Sequence, residues 1–453
     1  MQYYIYPKGG HGRTLGEMIK FLDSSVDIKF IDDYYKDISL QTQKEEILKS
    51  GAKVLLALEQ KNPYSRVIMQ TLVKNLKGCG ISNYENNMLW YSSQIVKKTR
   101  EILAKQGWSA ENTIGVGVYN HAGEKHLGFV DSELKKQGFN VLYLCSNDVS
   151  YQIYRQKDAD NSLAIPLVVE HYDLVDYIFA IYMTTPLNYK NPKVKYFYQP
   201  HGIADMCEGI IRFGGINESM EILRHTDYIM APTKKEVAII KDALSEYGCK
   251  AEVLSVGYPA FEIVENQLES CKEYKRDSLF IAVSDESDLE AIKDGVRLLL
   301  DNKIKVIFRP RPYFKKQVVD EFIDYFKDSS YFSLDLESKI SAHSYKASFA
   351  VVTTASSVGY TYPLTTFCPA ILYFSDVSKK ECKWRQYAYF DSNLHLFASK
   401  PQELLEAAVY ARNNVAKNKE IIEKYKKEQV FNLGSASKIA AKMVKEKLKE
   451  VES

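Results

Sequence analysis

Short runs of β-branched and aromatic residues alternate with longer amphipathic stretches along almost the whole of this chain, and that alternation restricts its fold more than any other feature. A short apolar run between turn signals reads as a strand, and an apolar face recurring every three to four residues reads as a helix. Strands separated by helices pair in parallel, because a parallel connection needs a crossover of a dozen or more residues. The fold class expected is therefore α/β. Strands are expected over 3–6, 26–31 and 53–58, with helices from the glycine loop to about 22 and over 65–77, before Gly78-Cys79-Gly80 breaks the pattern. A helix over 88–106 leads to a second series, with strands at 113–119, 140–144, 175–181, 194–198, 228–231 and 252–256 and helices at 124–137 and 234–243. Residues 260–277 are charged and turn-prone and read as a hinge. A third series follows, with strands at 278–284, 305–308, 349–353 and 370–374, a helix at 289–300 and helices over the last stretch. Ile439, Ala440, Met443, Val444 and Leu448 share one face there, which reads as a docked helix with a solvated basic border, or else as a membrane-surface contact.

At 453 residues the chain is too long for one core, and about 150 residues per domain gives roughly three. The boundaries expected are 1–84, 85–265 and 266–453. With 60 Lys and Arg against 58 Asp and Glu the net charge is +2, which argues against an electrostatic nucleic-acid binder. Seven scattered cysteines without a C-x-x-C pair support neither a disulfide framework nor a cysteine zinc site. The first residues read as a strand, not a leader, and no apolar run approaches the ~18 residues of a membrane span. The expected location is the cytoplasm, with at most peripheral contact at the inner face of a membrane. The 33 Tyr and 20 Phe against 3 Trp fit either a biased composition or an aromatic surface for stacking. Tyr196, Tyr198, Tyr258 and Tyr360 are the tyrosines near the motifs below.

Gly9, Gly10, His11 and Gly12 lie between the first strand and the first helix, where missing Cβ atoms let backbone N–H groups approach a phosphate. Asp32, at the end of the second strand with Asp33, stands where a dinucleotide fold places a ribose-binding carboxylate. The string from Ile5 to Thr14, followed by Phe30-Ile31-Asp32-Asp33, resembles the N-terminal nucleotide-sugar-binding domain of PglD/NeuD-like sugar O-acyltransferases over about residues 1–84. The hexapeptide repeat that carries acyl transfer in that family does not follow, so the acyl-transfer activity is not implied. Ligand binding and a retained structural domain are both open.

Three further motifs sit at expected strand ends. His201, in Pro200-His201-Gly202, places an imidazole at the edge where open α/β sheets bind ligands, suited to take a proton from a hydroxyl; a helix-capping histidine is the other reading. His121 and His126 lie at the surface or line the same crevice. Arg309-Pro310-Arg311-Pro312 holds two guanidinium groups on a stiffened turn, as a diphosphate would need. Thr354, Ser356 and Ser357 open a helix after a buried strand, where hydroxyls and free N–H groups can receive phosphate oxygens or simply cap.

In this order, Pro200-His201-Gly202, Gly257-Tyr258-Pro259, Arg309-Pro310-Arg311-Pro312 and Thr353-Thr354-Ala355-Ser356-Ser357 resemble the CDP-glycerol glycerophosphotransferase family of teichoic-acid and capsule synthesis, over about residues 114–433. The resemblance implies GT-B architecture, two facing Rossmann-like domains, here preceded by a small Rossmann-like α/β domain. It implies a nucleotide-activated sugar or polyol donor on the C-terminal domain and a polysaccharide or glycolipid acceptor on the N-terminal one. His201 then matches the histidine proposed as catalytic base, and Ser356 and Ser357 the donor-binding serine pair. Arg311, Thr354 and Thr361 stand where the family has a histidine, an aspartate and a further acidic residue. Those departures loosen the donor assignment, and Ser356-Ser-Val-Gly-Tyr360 fits equally well the helix start of capsule transferases that use a nucleotide-activated acidic sugar.

No cofactor or metal is called for. Asp158-Ala159-Asp160 has the D-x-D spacing but no apolar strand before it and reads as a solvated turn, and the acidic run 284–288 reads as a helix cap. The function expected is transfer of a sugar or polyol phosphate to a cell-surface polysaccharide. A GT-B-like sugar-nucleotide epimerase or hydrolase, and a non-catalytic sugar-nucleotide-binding protein, stand as alternatives.

Overall fold

The computed structural model describes residues 2–58, 63–118, 124–166, 174–180, 193–216, 220, 223–337 and 341–452. The chain gathers into two compact units, Met1–Glu124 with Asp131–Phe197, and Lys125–Val130 with Tyr198–Ser453. The class is α/β with parallel sheets, as the alternation of elements requires.

The first unit holds strands β1 (Gln2–Tyr6), β2 (Asp27–Phe30), β3 (Lys53–Leu56) and β4 (Tyr84–Glu85) in the order β2-β1-β3-β4, all parallel. The reversal of order between β1 and β3 opens a crevice at their carboxyl ends, where Gly9 to Gly12 form the start of the helix Gly10–Leu22 and not the open loop expected. Tyr4, Tyr6, Val54 and Leu56 pack there with Leu72 and Leu76 of the helix Pro63–Gly78, whose spacing of four places both on one face. The same unit carries β5 (Thr113–Val118), β6 (Asn140–Cys145), β7 (Ser162–Pro166) and β8 (Tyr177–Ala180), paired in parallel as β8-β5-β6-β7. β9 (Lys195–Tyr198) ends at the residue that opens the second unit.

In the second unit β10 (Tyr228–Ala231) and β11 (Glu252–Ser255) pair in parallel. Its main sheet uses β12 (Ser278–Ile281), β13 (Lys305–Phe308), β14 (Phe332–Leu334), β15 (Ser348–Thr353), β16 (Ala370–Tyr373) and, after a short β17–β18 hairpin (Lys383–Trp384, Tyr387–Ala388), β19 (His395–Ala398). The order β14-β13-β12-β15-β16-β19 is that of a doubly wound dinucleotide fold. Leu279, Ile281, Ala350 and Val352 face one core with Leu289, Ile292 and Val296 of the helix Glu286–Asp301, while Phe280 and Val351 face another with Tyr345 and Tyr362. Burial of both faces explains why these strands read as continuous apolar runs.

Three differences from the sequence reading have physical causes. The helix expected over 124–137 is two, Glu124–Leu127 and Val130–Lys136, because Gly128 takes φ +60 and leaves only 2.6 Å between Pro259 Cβ and the place its own Cβ would fill. The expected hinge is a helix over Ala260–Ser270, since Phe261 and Val264 recur at helical spacing and are buried. Strands β7, β14 and β19 were not legible, being three to five residues long and stabilised by their neighbours in the sheet. The C-terminal helix Ala436–Glu452 is docked through Ala440, Ala441, Val444 and Leu448. Among the described residues no helix is long and apolar enough to cross a membrane.

Candidate functional site

The order of the six-stranded sheet reverses between β12 and β15, so the segments leaving those strands border a crevice of the kind that holds nucleotides. They are tied to each other. Ser284 N–H donates to Thr354 Oγ1 at 3.0 Å, Ser284 Oγ donates to the Ala355 carbonyl at 2.5 Å, and Thr354 Oγ1 donates to Asp288 Oδ2 at 2.6 Å. Asp288 also receives Asp285 N–H at 3.0 Å, so the acidic run caps a helix as its sequence implied. Thr354 is thus committed to holding the two strand ends together.

Arg311, separated by Pro310 from the Arg309 that follows β13, donates from Nη2 to Ser356 Oγ at 2.6 Å and from Nη1 to the Tyr313 hydroxyl at 2.7 Å. Tyr313 passes its own proton to the Ser284 carbonyl at 3.2 Å. Arg309 points to a different partner. Its Nη1 is 2.8 Å from Asp335, whose carboxylate is 3% exposed and also accepts Ser344 Oγ–H at 2.8 Å. The two arginines of one motif therefore differ: Arg309 neutralises a buried carboxylate, and Arg311 presents a guanidinium beside the serine pair. Lys125 adds a third cation. Crowding of its ammonium end, followed by the charges of Arg311 and Arg309, lowers its pKa, although the residue as a whole is exposed.

Ser356 and Ser357 lead into the helix Val358–Thr366. Ser356 is buried, with Tyr389 donating its hydroxyl proton to the Ser356 carbonyl at 2.6 Å. His395 braces the next turn. Its Nδ1 accepts Asp391 N–H at 3.0 Å, so the proton sits on Nε2 and is donated to the Gly359 carbonyl at 2.9 Å. Burial, partly opposed by the Asp391 charge, lowers the His395 pKa to about 4, so this brace is neutral at ordinary pH. Among the described residues the Ser357 hydroxyl makes no hydrogen bond, and it does not cap the helix.

His201 follows β9, and its Nδ1 is 3.1 Å from Asp205 Oδ2 on the first turn of the helix Asp205–Phe213. That ion-pair contact favours the Nδ1–H tautomer, in which Nε2 carries the basic lone pair. Burial works against a charged ring, but the Asp205 charge, its hydrogen bond and the Glu208 charge outweigh it and raise the His201 pKa. The side chain keeps 42% of its exposure, which gives a reactant access to it. A side chain at Gly202 would displace the Asp205 carboxylate, since its Cβ would come within 2.3 Å of Asp205 Oδ1 and 3.3 Å of Ser357 Cβ. The histidine loop therefore runs beside the serine pair, and their supports are bonded, since Arg212 Nε donates to the Ala355 carbonyl at 3.3 Å while paired with Glu208 at 3.2 Å.

His126, read as a surface or crevice residue, is buried. The Tyr258 hydroxyl donates to the His201 carbonyl at 3.1 Å and lies 2.7 Å from His126 Nδ1, so His126 donates to Tyr258. Burial first, then the Lys125 and His201 charges, hold the His126 pKa well below the ordinary value. Gly257, at φ +101, makes this turn possible against the Phe431 carbonyl, 2.4 Å from where its Cβ would stand. Tyr196, Tyr198, Tyr258 and Tyr360 are 1 to 6% exposed, which removes them as stacking platforms for a sugar. His121 lies outside the described residues.

In the first unit, the Gly10–Leu22 helix begins without a side-chain cap, and Gly9, Gly10 and His11 are exposed. A Cβ at Gly9 or Gly10 would meet nothing within 4 Å, whereas one at Gly12 would fall 2.0 Å from the Pro7 carbonyl. Asp32 turns back to accept Tyr34 N–H at 3.1 Å, and it is Asp33 that receives the Tyr6 hydroxyl and Leu40 N–H. Asp158 likewise accepts Ala164 N–H at 2.7 Å within its turn.

Asp205, Glu208, Tyr313 and Tyr389 escaped the sequence reading, and Tyr258 entered it as a candidate stacking surface, not as a partner of His126 and His201. The available signals were the spacing of four between His201 and Asp205 and between Glu208 and Arg212; the three tyrosines act through contacts 29 to 132 positions along the chain, as with His126 and Tyr258.

No protein family and no curated protein matches this sequence. Solved structures do match in fold. The wall teichoic acid polymerase TagF is 13% identical, with 81% of this chain and 99% of that chain covered at a TM-score of 0.52. The UDP-GlcNAc 2-epimerase of Neisseria meningitidis bound to UDP-GlcNAc is 14% identical, covering 74% of this chain and 100% of that one at 0.51. The S. aureus MnaA–UDP complex is 10% identical, covering 76% and 98% at 0.52. At these identities the likeness is one of fold, and it is the fold of GT-B-like proteins.

Proposed function

We propose that this chain transfers a sugar or polyol phosphate from a nucleotide-activated donor to a hydroxyl of a cell-surface polysaccharide or glycolipid. The observation that carries this reading is the approach of two half-sites across Gly202, where an added Cβ would stand 2.3 Å from Asp205 Oδ1 and 3.3 Å from Ser357 Cβ: the His201–Asp205 pair is at one side and the Arg311-bonded serine pair at the other. In this reading His201 Nε2 takes the acceptor's hydroxyl proton as that oxygen bonds to the transferred carbon or phosphorus. The bond to the donor's phosphate oxygen breaks, and the nucleotide leaves with the electron pair. Arg311, Ser356, Ser357 and the first N–H groups of the helix Val358–Thr366 receive the charge that develops on it, work best done by donors already in place. Arg309 and Thr354 hold the walls, through Asp335 and Asp288. The organisation that goes with this reading is a nucleotide-sugar-binding-like domain over 1–84, an acceptor domain over 85–265 and a donor domain over 266–453.

The likeness to the TagF polymerase, one structure of which was soaked with CDPG, favours transfer; the likeness to the epimerase at an equal TM-score favours a second reading, in which the same site releases or epimerises the sugar. Incubating the protein with CDP-, CMP-, UDP- and GDP-activated donors, with and without capsular acceptor, separates them. Product linked to acceptor supports transfer. Nucleotide and free sugar without acceptor support epimerisation or hydrolysis, and binding without turnover of any donor ends both.

A further inference from the structure

We propose that Glu236 is a positioning residue for the His201–Asp205 pair, holding the first turn of the helix Asp205–Phe213 so that Asp205 meets His201 Nδ1. Its catalytic consequence rests on the reading of His201 as base; its geometry does not.

A helix leaves its first N–H groups without partners inside the helix, and a local Ser, Thr, Asp or Asn usually supplies one. This helix has Ala204 at that place, with no side-chain cap. Glu236, from the separate helix Lys234–Glu246, takes the role with both oxygens: Oε2 accepts Met206 N–H at 3.0 Å and Oε1 accepts Cys207 N–H at 3.2 Å. The fork fixes two consecutive peptide groups, and the anion sits at the positive end of the helix dipole. Glu236 is itself pinned, since its N–H donates to Thr233 Oγ1 at 3.1 Å, and it is 1% exposed. Among the described residues, the hydrogen bonds to the Glu236 carboxylate come from these two N–H groups and the Cys207 thiol, and a buried charge without such donors is costly.

Asp205 immediately precedes the two clamped residues. It has little slack, because its Oδ1 fills the space beside Gly202 where a Cβ would stand. Movement of the helix start therefore changes the one contact that orients His201, and errors of about 1 Å in such geometry cost catalysis heavily. The groups facing His201 are Asp205 and Glu208 from this helix, Lys125 and His126 from the segment 125–130, and the Tyr258 hydroxyl. Those around Glu236 are Asp205, Cys207, the adjacent Lys235 and Tyr425. Burial, opposed by its bond from Met206 and reinforced by the Asp205 charge, raises the Glu236 pKa to about 7.

The test is Glu236→Gln in the full chain, read by NMR titration of the His201 ring, with His201→Ala identifying the signal. An amide keeps the volume but turns an NH2 group toward one of the two N–H donors. The expected result is a His201 titration at lower pH than in the parent protein, because Asp205 no longer holds the charged ring. Turnover should fall tenfold or more, with donor affinity unchanged. Glu236→Asp, which keeps the charge but is one methylene too short, should shift the titration in the same direction and serves if the glutamine variant does not fold. A folded variant whose His201 titrates as in the parent overturns the proposal. If instead His201→Ala keeps full turnover, the base reading falls while the titration still decides the role of Glu236.

Discussion

Two crevices in this molecule are built by the same device, a reversal of strand order in a parallel sheet, and they are furnished differently. At the β1–β3 reversal the strand runs into a glycine-rich helix start where a Cβ at Gly9 or Gly10 would meet nothing within 4 Å, and the polar neighbours Tyr6 and Asp33 bond to each other. At the β12–β15 reversal the segments are linked across the chain: Arg311 to Ser356, Ser284 to Thr354 and Ala355, and Tyr389 to Ser356. Topology supplies a crevice in both cases, but only the second holds its cations and hydroxyls in fixed relation before any ligand arrives. Preorganisation of that kind separates a site that can stabilise a transition state from a surface that can at most bind.

The comparison can be broken most decisively at His201. His201→Ala should lower transfer by about 10² to 10⁴-fold, the usual contribution of a positioned base, with donor affinity by calorimetry unchanged; unchanged turnover would remove the second crevice from the chemistry. Asp205→Asn should cost part of the same factor and move the acid limb of the kcat/KM profile. The sign follows from the raised His201 pKa: the ring is a base only above that pKa, Asp205 is what overcomes burial, and its loss brings the limb to lower pH. A limb that stays in place or rises contradicts the pairing.

In the first crevice the largest expected effect is on folding. Gly12→Ala should destabilise the protein by about 1–3 kcal/mol in chemical denaturation, because its methyl group meets the Pro7 carbonyl. Back in the second, Arg311→Lys should weaken donor binding about tenfold through loss of the forked geometry, whereas Arg309→Lys should act on stability, through Asp335, more than on affinity. Equal losses of affinity in the two variants would erase the distinction drawn between them. The smallest effect is expected at Gly10→Ala, within about 0.5 kcal/mol of the parent in stability; a lost thermal shift with any nucleotide in that variant would show that the glycine-rich helix start binds phosphate after all.

Much of this was legible in the residues alone. The strand at 305–308, those at 228–231 and 140–145, and the helices near 63–78 and 88–105 lie where apolar period and glycine breaks put them, because each is a local consequence of side-chain patterning. The helix at Ala260–Ser270 was missed because its charged outer face dominates the sequence while its buried positions, Ala260, Phe261 and Val264, are few. The motif at 309–312 reads as two equivalent arginines, and the structure makes them unlike because Asp335 and Ser356, 26 and 45 residues away, pair with one each.

The sequence by itself determined the α/β class, the strand ends at which polar residues gather, and the residue types that gather there, since periodicity and turn chemistry are properties of neighbours along the chain. Tertiary structure alone decided which of those residues are occupied and which are poised. His126 and Tyr258 are interior, Thr354 is a strut, and His201 is oriented by Asp205 on a helix capped from another element. Those facts depend on desolvation and on hydrogen bonds between residues distant in sequence, and both come into being only when the chain has folded.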